Sequence, residues 1–309
     1  MSLSDPSLPL RLGTRGSPLA LTQARMVIEA LRAAHGWGEN AVEIVTIKTS
    51  GDKIQDRALA EVGGKALWTK ELDRALLDGE IDFAVHSMKD VETIRPAEIV
   101  IAAMLPRADV RDRLIGVETL AALSRGARVG TSSPRRSAQV RRARPDAEIV
   151  LFRGNVDTRL AKLSAGEAEA TLLASAGLDR LGRVGIGHPI PIEEMLPAPA
   201  QGAVGIETLT ANNIVQALLG AIDDAQTHAC VDAERALLAA LGADCRSPVA
   251  ALAVRSGAGL HLRAEILTED GAECRSGEAM LLQKGDAEAL ARRLLDGASP
   301  RLRALFTGA

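Results

Sequence analysis

The stretch Ile81-Asp82-Phe83-Ala84-Val85-His86-Ser87-Met88-Lys89-Asp90 changes character in one step: Phe83, Ala84 and Val85 are apolar, and His86, Ser87, Lys89 and Asp90 are not. Gly79 precedes it as a helix stop. A short apolar run bounded in this way reads as a strand buried on both faces, as in a parallel sheet covered above and below by helices. Open sheets of that kind bind ligands in the crevice beyond the carboxyl ends of their strands, where Lys89 and Asp90 fall. Taken alone, the pair also reads as an ordinary solvated loop, which is the commoner case.

Upstream, Leu10-Arg11-Leu12 reads as a strand and Gly13-Thr14-Arg15-Gly16 as a turn. Ser17 then serves as an N-cap with Pro18 at the first helical position. Leu21, Ala24, Val27, Ile28 and Leu31 have the spacing of an amphipathic helix, which Gly36 ends. Arg15 and Ser17 therefore lie at a strand-to-helix junction, where free N–H groups and the helix dipole attract anions. Val42–Lys48 is a second strand, residues 53–64 have no clean period and read as a mobile loop, and a helix from Leu67 to Asp78 leads into the opening stretch. Gly63-Gly64-Lys65 is not a phosphate loop, because Ala66 stands where Ser or Thr is required and Leu59 where the first glycine belongs.

Downstream, a second unit begins near Pro106. Ala127–Thr131 is a strand, and Ser133 caps a helix beginning at Pro134, echoing Ser17 and Pro18. Glu148–Phe152 is a strand, Arg153-Gly154-Asn155 caps a helix that carries Arg159, and Thr171–Ala174 is a strand followed by a helix with Arg180. Pro189, Pro191, Pro197 and Pro199 mark a linker. After it come a strand at Gln201–Glu207 and helices at Asn212–Ile222 and His228–Leu241. Strands at Val249–Val254 and Leu260–Leu267, a turn at Glu269-Asp270-Gly271 and a closing helix at Asp286–Leu295 complete a small sheet with helices packed on it.

At 309 residues the chain is too long for one core and implies two or three domains. It is 47% hydrophobic but only 2% aromatic, without tyrosine, so Ala, Leu, Val and Ile must build the interior. No segment has signal-peptide or membrane-spanning character, and the three cysteines lack a Cys-x-x-Cys pair. The expectation is a cytoplasmic protein without a disulfide framework or metal site. Net charge is −3, yet Arg125 to Arg159 holds nine arginines against Asp146, Glu148 and Asp157, a local net of +6 with no lysine. Guanidinium grips carboxylate or phosphate with a planar fork. Phe152 is the sole aromatic in that segment, whereas single-strand nucleic-acid binders stack bases on aromatics, so a small polyanion fits better.

His35, His86, His188, His228 and His261 have no metal-ligand spacing, and the adjacent His86 and Ser87 point to opposite faces of a strand. Cys230, on a helix, and Cys274, on a strand, read as small core fillers. Cys245 lies in a loop beside Arg246, and a neighbouring cation raises the thiolate fraction, though an inert loop cysteine fits the same residues.

These residues resemble the porphobilinogen deaminase (hydroxymethylbilane synthase) family over nearly the whole chain. The shared blocks are Thr14-Arg15-Gly16-Ser17-Pro18-Leu19-Ala20, Val62-Gly63-Gly64-Lys65, Ala84-Val85-His86-Ser87-Met88-Lys89-Asp90, Val129-Gly130-Thr131-Ser132-Ser133, Arg135-Arg136, Arg153-Gly154-Asn155-Val156, Thr158-Arg159-Leu160, Ala176-Gly177-Leu178, Gln201-Gly202-Ala203-Val204-Gly205-Ile206-Glu207 and Cys245. Pro134 and Trp68 depart from the leucine and phenylalanine expected in many relatives, and Glu61 from the lysine of some.

The resemblance implies an α/β fold: two type II periplasmic-binding-protein-like domains around a cleft, plus a small α+β C-terminal domain. The divisions would be 1–105 with 203–224, 106–202, and 225–309. It implies a monomeric transferase that condenses four porphobilinogens head to tail, releasing four ammonia and yielding linear hydroxymethylbilane. That product would pass to the next tetrapyrrole-pathway enzyme, with no nucleic acid or membrane involved. Cys245 would carry the dipyrromethane cofactor through a thioether. Asp90 would act beside the pyrrole nitrogens, stabilising the methylene-pyrrolenine cation left when ammonia departs. Arg15, Ser17, Lys65, Ser87 and Lys89 would hold cofactor or substrate from the first domain. Thr131, Ser132, Ser133, Arg135, Arg136, Arg153, Gly154, Asn155, Arg159, Arg180 and Gln201 would do so from the second. A non-catalytic anion-binding module is the rival reading, and it would need neither Asp90 nor Cys245.

Overall fold

The computed structural model describes residues 9–48, 66–243 and 247–306. The apolar run at 83–85 forms strand β3 (Phe83–Ser87), whose first four residues are buried. Both faces are covered, as the run requires. Helix α1 (Pro18–His35) lays Ala24, Val27 and Leu31 on one face, in a cluster with Leu12, Phe83, Val85 and Ile206. Helix α2 (Ala66–Leu77) puts Leu72 and Leu76 on the other, with Ile81 and Ala84. Helix α1 begins and ends as its sequence dictates: Ser17 Oγ accepts from the Ala20 N–H at 3.3 Å, and Gly36 takes the left-handed conformation at φ 71°.

The sheet is mixed rather than wholly parallel. Its order is β2 (Val42–Ile47), β1 (Leu10–Arg15), β3, β10 (Val204–Leu209) and β4 (Ile99–Met104). Strands β1, β2 and β3 run parallel, while β10 pairs antiparallel with both β3 and β4. Strand β10 enters from more than 90 residues downstream, so the chain leaves this sheet after β4 and returns to complete it. A hydrophobic run reports burial and not strand direction, which is why the antiparallel neighbour is invisible in residues 81–90.

The second sheet repeats that plan. Its order is β7 (Glu148–Val150), β6 (Arg128–Gly130), β8 (Ala170–Ala174), β5 (Asp112–Ile115) and β9 (His188–Pro189), with β6 parallel to β7 and β8, and β5 antiparallel to β8. In each sheet the antiparallel fourth strand is the first one formed after the chain crosses over. Gly13-Thr14 and Gly130-Thr131 thus stand at equivalent points, and so do the caps of α1 and α3 (Pro134–Ala143), where Ser133 accepts from the Arg136 N–H. Gly130 is forced by packing, because a Cβ there would sit 2.4 Å from the Phe152 ring.

The proline-rich segment that leads to the unit boundary is partly buried. His188 and Pro189 pair with the edge of β5, where proline's missing N–H costs no ladder bond. Ile190, Met195 and Leu196 are buried. Helices α4 (Val156–Ser164), α5 (Ser175–Arg180), α6 (Asn213–Gly220) and α7 (Ala225–Leu241) follow, the last starting three residues earlier than its sequence spacing suggests.

The C-terminal residues form an antiparallel meander, β11 (Val249–Ser256), β12 (Gly259–Leu267) and β13 (Cys274–Leu281). Leu262, Ala264 and Ile266 of β12 pack on α7, α8 (Asp286–Asp296) and α9 (Pro300–Arg303) through Leu237, Leu290, Leu294 and Leu302. The other face meets Leu196 and Ile192 through Ala250 and Leu252. Cys230 is buried. Cys274 is no core filler: it is half-buried at the start of β13, and Arg142 Nη1 of α3 lies 2.6 Å from its Sγ.

The described residues divide into two compact units, 9–48, 66–108 and 202–229 in one, and 109–201, 230–243 and 247–306 in the other. Among them no helix is long and apolar enough to cross a membrane.

Candidate active site

In the first unit, β3 ends in a 3₁₀ turn, Met88–Asp90. The turn is fixed from beneath. Met88 is buried over Gly205, where a Cβ would come within 2.1 Å of its sulfur, and the Met88 N–H donates to the Ala203 carbonyl at 3.1 Å. Asp90 is half-buried in a pocket whose wall includes Arg15, Ser17, Gln23, His86 and Ser87. Gln23 Nε2 of α1 donates to Ser87 Oγ at 2.7 Å. Among the described residues no hydrogen bond or ion pair engages the Asp90 carboxylate. An anion on a fixed turn, with a guanidinium and hydroxyls nearby, can neutralise a cation or move a proton on a ligand.

A buried charge cluster lies behind the turn. Glu207 of β10 is wholly buried, and His86 Nε2 stands 3.1 Å from its Oε2. Arg95 grips the same carboxylate with a fork, Nε to Oε1 at 2.8 Å and Nη2 to Oε2 at 2.9 Å. Arg95 also bonds Asp73 of α2 and reaches Glu92 at 3.3 Å. Burial works against charge on Glu207, but His86 and Arg95 overcome it and hold the carboxyl at about 2. For Asp73 the balance reverses: desolvation outweighs Arg95 and raises its pKa.

In the second unit, three loops leave the carboxyl ends of the parallel strands β6, β7 and β8. Thr131 Oγ1 accepts from the Ser133 N–H at 3.2 Å, and Asn155 caps α4 by accepting from the Thr158 N–H at 2.8 Å. Gly154 sits at φ 101°, where a Cβ would strike Thr158 at 2.7 Å. Arg159 Nε donates to the Gly154 carbonyl at 3.0 Å, and its Nη2 lies 3.5 Å from Ser132 Oγ, which ties two of the loops together. Arg153 is buried, and burial lowers the pKa of Arg180 at the end of α5.

Arg135 and Arg136 point inward. Asp112 Oδ2 accepts from Arg135 at 2.8 Å, and its Oδ1 accepts from Arg136 at 2.6 Å and from Gln201 Nε2 at 2.9 Å. Arg135 Nη1 also donates to Gln139 and to the Leu196 carbonyl, and Arg136 Nη1 donates to the Leu172 carbonyl. Desolvation opposes charge on Asp112, but the two arginines pull its carboxyl far below the usual range. Two guanidiniums against one buried carboxylate leave surplus positive charge at the head of α3, and the Nε–H of each is buried without a partner among the described residues. Surplus charge, orphaned donors and capped helix starts suit an anionic ligand.

Lys65 and Cys245 lie outside the described residues, as does the loop at 53–64. Sequence reasoning overlooked Gln23, Asp73, Arg95 and Asp112. Glu207 held a usable signal: a carboxylate within Val-Gly-Ile-Glu-Thr-Leu, a run otherwise fit for burial, demands a cationic partner.

Residues 10–217 match a family model described as porphobilinogen deaminase, dipyromethane cofactor binding domain, and residues 228–297 match the porphobilinogen deaminase C-terminal domain. The porphobilinogen deaminase of Sphingopyxis alaskensis is 59% identical over 310 residues, covering 98% of each chain. That of Paracoccus denitrificans is 50% identical over 279 residues, covering 89% of each. Among solved structures, the second substrate-binding domain of Lactococcus lactis GlnP aligns with a TM-score of 0.43 at 10% identity, over 71% of this chain and 89% of that one.

Proposed function

This chain belongs to the porphobilinogen deaminase family, transferases of tetrapyrrole biosynthesis, and from that premise we propose which of its residues carry the reaction. The reaction joins four porphobilinogens head to tail. Each new carbon–carbon bond releases one ammonia, and one water frees linear hydroxymethylbilane. A covalently held dipyrromethane, when bound, supplies the nucleophilic pyrrole carbon on which the chain grows.

Asp90 is the catalytic residue. Loss of ammonia from an aminomethylpyrrole leaves a methylene-pyrrolenine cation, and a carboxylate beside the pyrrole nitrogens stabilises that charge and takes up the proton released when aromaticity returns. The observation that carries this reading is the uncommitted Asp90 carboxylate on its fixed turn, in a pocket with Arg15, Ser17 and Ser87. Arg15, Ser17 and Ser87 of this pocket, together with Lys65 and Lys89, hold acetate and propionate groups.

The residues of the second unit fit an acidic oligopyrrole, with orphaned guanidinium N–H donors and surplus positive charge at the start of α3. Thr131, Ser132, Ser133, Arg135, Arg136, Arg153, Gly154, Asn155, Arg159 and Arg180 bind its carboxylates, and Gln201 supports them through Asp112. Charge-assisted hydrogen bonds contribute roughly 1.5–3 kcal/mol each, so several suffice to retain an intermediate through repeated additions. Cys245 tethers the cofactor by a thioether. The protein works as a cytoplasmic monomer with domains at 1–105 plus 203–224, 106–202 and 225–309, and passes its product to the next enzyme of the pathway.

Intact mass tests the reading directly. The active protein should be heavier than its sequence by two deaminated porphobilinogen units, located on the Cys245 peptide. Activity from unmodified protein would overturn it.

A further inference from the structure

The turn that carries Asp90 is fastened on both flanks to one carboxylate. His86, four residues before Asp90, meets Glu207 Oε2 at 3.1 Å; Arg95, five residues after, takes both oxygens of Glu207 at 2.8 and 2.9 Å. Asp73 of α2 braces Arg95 from the side. The segment between the two anchors is short and is held near Asp90 by the buried side chains of Met88 and Val91, by Gln23 on Ser87 and by the Met88 N–H on the Ala203 carbonyl. Beyond Val91 that packing stops, since Ile94 is 73% exposed. The fork of Arg95 secures the far end, since a bidentate pair fixes direction as well as distance.

We propose that Arg95, Glu207 and His86 act together as positioning residues, holding the Asp90 carboxylate at the distance from the reacting pyrrole that turnover requires. The inference rests on the assignment of Asp90 as catalytic. It accounts for a carboxylate, a guanidinium and an imidazole buried where apolar side chains would be cheaper, since an isolated buried carboxylate is costly and replacing a buried pair with apolar residues is often neutral. It also ties the Asp90 turn to β10, so the strand that returns from downstream completes the site as well as the sheet.

Arg95→Lys and Glu207→Gln test it. Lysine keeps the charge and loses the fork; glutamine keeps the shape and still accepts hydrogen bonds. The cofactor-loaded fraction of each purified variant is measured by intact mass, and ammonia release is expressed per loaded molecule. The expected result is a kcat per loaded molecule lower by about 10- to 100-fold, with KM for porphobilinogen within about twofold of the parent, since a small misplacement of a reacting group has that effect. A role in stability alone would reduce the yield of folded, loaded protein and leave kcat per loaded molecule intact. That outcome, a loss carried in KM, or the failure of both variants to accumulate loaded protein each overturns the positioning role. Asp90→Asn, assayed alongside, separates the two assignments. If it retains turnover, the assignment of Asp90 fails; if it is inactive while both other variants are normal, only the clamp fails.

Discussion

Nη2 of Arg136 donates to Oδ1 of Asp112 at 2.6 Å, with both side chains buried in the second unit. Arg135 takes the other oxygen at 2.8 Å, so one carboxylate neutralises part of two buried guanidiniums. Breaking such a pair strands charge in the interior and costs about 3–5 kcal/mol. Asp112→Asn should therefore lower Tm by roughly 5–15 °C for a chain of this size. Thermal unfolding followed by circular dichroism checks this, and an unchanged Tm would show that the arginines do not depend on Asp112.

Asp90 gives the opposite pattern. Its carboxylate makes no bond to a described residue, so Asp90→Asn removes none of the described folding interactions. Tm should stay within a degree or two. Turnover should fall by about two to three orders of magnitude, the usual cost of removing one preorganised group that faces developing charge. Ammonia release in the steady state reads the loss directly, and retention of a tenth of parental activity would be too much for the role assigned.

Acid stability follows from two depressed carboxyls. Glu207 sits at about 2 in the folded chain against an ordinary value of 4.5, and Asp112 is likewise held below its ordinary 3.8. A depressed folded pKa contributes stability that is complete above the unfolded value and lost as pH falls toward the folded one. Asp73, with a raised pKa, contributes in the other sense: its stabilisation is present below 3.8 and lost as pH rises, a partial offset. The urea midpoint should be level down to about pH 5 and then fall steeply toward pH 2. Glu207→Gln should flatten part of that fall, and an identical acid profile for the variant would refute the linkage.

Much of this architecture was legible in the residues themselves. Ser17-Pro18 and Ser133-Pro134 announced the starts of α1 and α3 because capping is local chemistry, readable within four residues. The apolar run at 83–85 announced burial on both faces. Strand direction was not legible, since β10 joins β3 from more than 90 residues away and nothing in either strand records its partner. The fate of Arg135 and Arg136 was hidden for the same reason. Their partner Asp112 is over 20 residues upstream, in a strand too short to give a period, so nothing beside the arginine pair in sequence records the buried acid that partly neutralises it. The proline segment 189–199 reads as a linker, and the chain does pass to the other unit just after it, but its partial burial was not legible because proline marks a break in regular structure and says nothing of exposure.

The cysteines separate by reactivity. Cys274 is half-buried, and burial, helped by the charge of Glu265, pushes its thiol up to about 11 even though Arg142 lies 2.6 Å from the sulfur and works the other way. The thiolate is the nucleophile, so at pH 8 the reactive fraction of Cys274 is about a hundredfold below that of an ordinary thiol. Iodoacetamide at pH 8 should accordingly label the Cys274 peptide about a hundredfold more slowly than a free cysteine, as peptide mass spectrometry would record. Glu265→Gln removes one cause of the raised pKa and should speed that labelling. A thiol kept protonated is a poor candidate for thioether formation, and Cys230 is buried within α7. Cys274→Ala should therefore carry the full dipyrromethane mass, and Cys245→Ala should carry none. Loading of Cys245→Ala would move the tether elsewhere and undo the assignment.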